Sequence, residues 1–124
     1  MRYLRTAIGT AQNEPRGTLA RVFEKALSKL SANPDYGAAL ELVAEWFIEF
    51  DDEGFPRREV GIDNAGHAVV AGPDQRNYGF WLDTNMTLKD FAGAALSMEE
   101  FEAAWRRFYE QRPGREDPSF TPEA

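Results

Sequence analysis

The chain predicts an α+β fold: an antiparallel sheet of about four strands, with two N-terminal helices and one C-terminal helix packed on it. Three observations carry this. From Trp46 to Asp83 apolar and polar residues alternate between Gly, Asp and Pro, the period-two pattern of an antiparallel meander. Before it, Leu19, Val22, Phe23, Ala26, Leu27 and Leu30 recur at helical spacing, and after it Met98, Phe101, Trp105 and Phe108 do the same. Helices that precede and follow a run of strands belong on one face of the sheet. With 124 residues, 43% of them hydrophobic and 13% aromatic, the chain has material for one core. The expected organisation is a single domain over residues 1–111 and a Pro-rich flexible tail over 112–124.

The first helix is expected over Thr18–Leu30, ended by Asn33-Pro34, since the residue before proline avoids helical backbone. The same pair opens a shorter second helix to about Leu42, with Asn33 as cap and Pro34 in the first turn. Strand character begins near Val43. Trp46, Ile48 and Phe50 share one face, and Glu45, Phe47, Glu49 and Asp51 the other. Asp52-Glu53-Gly54 reads as a hairpin turn with Gly54 at positive φ. In the next strand Arg58, Val60 and Ile62 alternate with Arg57, Glu59 and Gly61, and Pro56 limits where pairing starts. Asp63-Asn64-Ala65-Gly66 is a second turn, His67–Ala71 a third strand and Tyr78–Leu82 a fourth. The last helix is expected at Ser97–Gln111, opened by a capping box between Ser97 and Glu100.

Charge is distributed unevenly. Between Asp35 and Asp63 nine acids face two bases, a surplus equal to the net charge of −7 for the whole chain. An acidic surface focused on a small sheet suits a basic protein partner and argues against nucleic acid, which needs clustered Lys and Arg. There is no cysteine, so disulfides and thiolate chemistry are excluded. No apolar run reaches the length of a membrane span or a signal-peptide core, and the expected location is the cytoplasm.

Chemistry is sparse. His67 is the only histidine and has no matched nucleophile. Asp51, Asp52 and Glu53 do not follow the spacing of a calcium loop and read as a solvated turn, so neither a metal nor another cofactor is expected. Glu45 and Glu49 lie two strand positions apart, not across a cleft as a glycosidase needs. Trp46, Tyr78, Phe80 and Trp81 suit a sheet core. A second reading keeps a small-molecule-binding or enzymatic domain, with His67, Asp63 and Asp83 around an aromatic pocket lined by Trp46, Tyr78 and Trp81. A third is an adaptor module using a sheet edge.

The segments Trp46–Asp51, Arg58–Asp63, Gly72-Pro73 and Tyr78–Asp83, with the later Glu100-Phe101 and Trp105, resemble small bacterial immunity-type proteins over about a third of the chain. These are cytoplasmic antidotes to polymorphic or contact-dependent growth-inhibition toxins. The resemblance implies a non-enzymatic protein that occludes a cognate toxin, one with a basic active-site cleft. The partner-binding residues expected from charge and exposure are Glu45, Glu49, Asp51, Asp52, Glu53 and Glu59, with Phe47 or Phe55 as aromatic anchor.

Overall fold

The first strand is one the alternation between Trp46 and Asp83 did not include. In the computed structural model, which describes residues 1–7, 36, 38–74, 77, 79–84, 86–112 and 117, strand β1 runs over Arg2–Thr6. It is followed by β2 (Glu45–Phe50), β3 (Pro56–Ile62), β4 (Ala68–Gly72) and the two-residue β5 (Ala94–Ala95). They form one antiparallel sheet in the order β4-β3-β2-β1-β5. Among the described residues the sheet thus has five strands, not about four. β1 alternates Tyr3 and Arg5 with Leu4 and Thr6, and its register sets Tyr3 opposite Glu49 and Leu4 opposite Ile48.

Of the two expected N-terminal helices, Thr18–Leu30 lies outside the described residues. The second contributes only a 3₁₀ turn, Ala38–Leu42, among them. Of the expected strand Tyr78–Leu82, the described residues do not form a strand. Gly79 has a φ of 120°, Phe80 is helical in backbone, and Trp81–Asp83 forms a 3₁₀ turn. A buried carboxylate, described below, takes the amides that a neighbouring strand would have taken. The C-terminal helix covers Met98–Glu110, with Ser97 and Glu100 forming the reciprocal cap. The expected flexible tail lies outside the described residues except for Arg112 and Asp117. Both touch the helix: Arg112 donates to the Phe108 carbonyl at 2.9 Å, and Trp105 Nε1 donates to Asp117 Oδ1 at 2.7 Å.

The two hairpins follow the same local chemistry. Asp51 Oδ1 accepts from the amides of Glu53 and Phe55, each at 2.9 Å, and Gly54 takes the left-handed conformation with φ 90°. Asp63 Oδ1 likewise accepts from Ala65 and His67. Phe50 pairs with Pro56 beyond an irregularity in register, so the strand starts where its missing amide is not needed.

Both faces of the sheet are covered. Phe47, Val60, Ile62 and Ala71 pack beneath the C-terminal helix, against Phe101, Ala104, Trp105, Phe108 and Tyr109. Trp46, Ile48, Phe50 and Val70 pack on the opposite face against Tyr36, Leu40, Val43, Phe80 and Trp81. Gly61 lies opposite Trp46, and a Cβ there would come within 2.6 Å of Val70 and 2.8 Å of Val43. Only a glycine leaves room for the indole in that layer. Alternation along β2 and β3 sorted the faces as expected. Neither face is left to solvent as a whole, because each carries a buried layer.

Candidate functional site at the β2–β3 end of the sheet

The acids of β2 and β3 have separate fates. Glu45, at the start of β2, pairs with Arg5 at 2.8 and 3.2 Å. The Arg5 guanidinium also lies 5.6 Å from the centre of the Phe47 ring. Glu49 is 3% exposed and receives both arms of Arg58, at 2.6 and 2.8 Å, and the Tyr3 hydroxyl at 2.9 Å. Arg58 also reaches Glu102 on the helix at 2.5 Å and lies 4.9 Å from the Phe101 ring and 5.0 Å from the Trp105 ring. Burial pushes the Glu49 carboxyl up, but the bonds and charge of Arg58 and the Tyr3 hydroxyl outweigh it and hold the group below its ordinary value. Arg58 is correspondingly raised: burial works against its charge, and the bonds to Glu49 and Glu102 overcome it.

Glu59 is buried on the other face, with 0% exposure. Its partners are all neutral. Oε1 accepts from the Trp81 amide at 2.7 Å, and Oε2 from the Phe80 amide at 2.8 Å and the Tyr36 hydroxyl at 3.0 Å. Burial pushes its carboxyl up to about 7, against the lowering pull of these donors. Gly79 makes the approach possible: with φ 120°, the place of its missing Cβ lies 3.3 Å from Glu59 Oε1.

Three expected contact residues are therefore corrected. Phe47, Glu49 and Glu59 are core residues in this fold and do not face a partner. The expectation failed because strand parity says which residues share a face, not whether a helix lies over it. Glu45 is half-buried and engaged by Arg5 at the end of β2 away from the turn.

The remaining four converge. Asp51, Asp52 and Glu53 line an open cleft of about 310 Å³ together with Arg2, Gly54, Thr87, Leu88 and Lys89. Asp51 spends one carboxylate oxygen on the turn amides. Asp52 is 96% exposed, 3.3 Å from the terminal ammonium of Met1. Glu53 is exposed, and Phe55, at 48% exposure, stands beside the turn. The far wall is fixed by the Leu88 amide, which donates to the Gly54 carbonyl at 2.8 Å, and by a capping box between Thr87 and Asp90. Arg2, Leu88 and Lys89 were missed in the sequence. The Thr87-to-Asp90 spacing marks a helical start there, but nothing local shows that it packs on a turn thirty residues earlier.

The alternative pocket does not form from the described residues it needs. His67 is an exposed residue just after the second turn, and its Nδ1 lies 3.4 Å from Asp63 Oδ2. Trp46 is stacked on Phe80 at 5.7 Å, and Trp81 is wedged between Phe80 and Phe91. Tyr78 lies outside the described residues. Among the described residues no three His, Cys, Asp or Glu side chains group to hold a metal, and no helix is long and apolar enough to cross a membrane. No protein-family model matches this chain, nor does any curated protein or solved structure.

Proposed function

We propose that the chain is an immunity-type protein that binds and neutralises a cognate toxin domain in the cytoplasm without catalysis, and that its contact surface is the β2–β3 end of the sheet. The observation that carries the reading is the division of the acids. Glu45, Glu49 and Glu59 are engaged within the fold, whereas Asp52 and Glu53 face solvent beside an exposed Phe55 and an open cleft. An aromatic side chain within an acidic rim is the arrangement that anchors protein interfaces. The net charge of −7 adds a long-range field that steers a basic partner towards the chain. The proposed partner is a toxin with a basic active-site cleft.

Co-expression tests this. The wild-type chain should restore growth to cells making the toxin domain encoded beside it. Asp52→Lys with Glu53→Lys, or Phe55→Ala, should abolish rescue while the protein remains folded. Failure of the wild-type chain to rescue sinks the reading. Rescue that survives all three substitutions leaves the antidote role standing and moves the contact surface elsewhere.

A further inference from the structure

A buried carboxylate held only by neutral donors is an uncommon choice for a small core, and it sits where a chain segment must be fastened. The Glu59 side chain leaves β3 beneath the Gly79–Thr84 segment and bonds to the amides of Phe80 and Trp81. Those two residues close the aromatic layer over Trp46, and Trp81 contacts Phe91 at 5.0 Å. We propose that Glu59 is a proton-operated latch on the Gly79–Thr84 segment: the neutral carboxyl fastens the segment to the sheet, and ionisation loosens it.

The surroundings support the direction. Among the described residues no cationic side chain hydrogen-bonds or ion-pairs with Glu59. From the neighbouring strands it meets Ile48 of β2 and Gly72 of β4 in register. Among the described residues Tyr36 touches Glu59, and Asp74 and Tyr109, joined by a 2.8 Å hydrogen bond, are felt electrostatically at Tyr36. None of these supplies a positive charge, and Asp74 opposes a second negative one. The backbone amides can only donate. The Tyr36 hydroxyl can also accept, so it provides a place for the proton of the neutral acid. Tyr36 itself keeps its proton, because burial and then the Glu59 carboxylate push its ionisation well up.

The sign follows from the two ends of the equilibrium. Opened to water, Glu59 returns to its ordinary value of 4.5, whereas fastened it titrates at about 7. Below the lower value both forms are neutral, and opening does not depend on pH. Between the two values only the open form is ionised, so opening rises with pH. It levels off once both forms are ionised, after a change on the order of 100-fold. The inference does not rest on the proposed partner, since the free protein carries the latch.

Amide hydrogen exchange of Phe80 and Trp81 between pH 5 and 8, corrected for intrinsic exchange, tests it, alongside a ¹³C titration of the Glu59 carboxyl. Protection at these amides should fall on the order of 100-fold across this range and stay below that of the β2 amides throughout, and the carboxyl should titrate near neutrality. In Glu59→Gln the pH dependence should vanish. Protection that is flat or rises with pH, or that equals that of β2 at every pH, overturns the latch. So does a carboxyl that titrates below about 5, a reading that needs no variant to fold.

Discussion

Two groups of acids separated by a few residues have opposite uses. Glu49 and Glu59 are enclosed, and each organises a layer: Glu49 ties β2 to Arg58 and the helix, and Glu59 ties β3 to the Phe80–Trp81 turn. Asp52 and Glu53, on the hairpin between those strands, organise nothing in the interior. The difference shows that acid density along a sequence overstates a docking surface. Part of the charge is structural, and only the remainder is available to a partner. The enclosed pair teaches a second lesson. Both carboxyls are buried, yet one is held ionised by a cation and the other is pushed towards its neutral form by neutral surroundings.

The interior group should be the harder to disturb. Arg58→Met keeps most of the stem against Phe101 and Trp105 but strands the Glu49 charge, and should cost about 3–5 kcal/mol in denaturant unfolding at pH 7. A loss indistinguishable from that of an exposed arginine would mean that Glu49 is solvated. Glu59→Leu leaves two amides and a hydroxyl without their acceptor. It should cost about 1–3 kcal/mol for each donor that finds no new partner, with the Trp46–Trp81 fluorescence altered.

Smaller, but opposite in sign for the two groups, are the pH effects. Glu59 is raised when folded, so its contribution is full below 4.5 and is lost as pH rises through about 7. The loss is at most about 3 kcal/mol, from 1.36 kcal/mol for each tenfold change in proton affinity. Glu49 is lowered when folded, so its contribution is full above 4.5 and is lost as pH falls through its folded value. Unfolding free energies of the wild type, Glu49→Gln and Glu59→Gln against pH should diverge in these opposite directions. Parallel profiles would erase the distinction.

Smallest of all in stability are changes at the turn. Asp52→Lys and Glu53→Lys should leave the denaturation midpoint where it is, because both side chains lie in water and bond to nothing inside.

Much of this was legible in the chain. The two Asp-led turns, the alternation of β2 and β3 and the Ser97 cap each follow from local chemistry, and local chemistry is what a sequence displays. What stayed hidden is non-local. The strand Arg2–Thr6 is short and charged, and its meaning lies in Glu45 and Glu49 some forty residues away. Ala94–Ala95 has no strand propensity and exists because β1 offers it an edge. A glutamate on a strand reads as surface, so Glu59 disclosed its burial only once the Phe80 and Trp81 amides and Tyr36 were placed around it. The acidic turn was visible as a candidate site, but the cleft beside it needed Thr87–Lys89 folded against Gly54.

The most direct test of the functional account is the association rate with the proposed toxin partner, measured against salt for the wild type and for Asp52→Lys/Glu53→Lys. The account predicts a rate that falls with ionic strength in the wild type, and a slower rate with a flattened salt dependence in the variant, at unchanged stability. Equal rates and equal salt dependence in two equally folded proteins would contradict it.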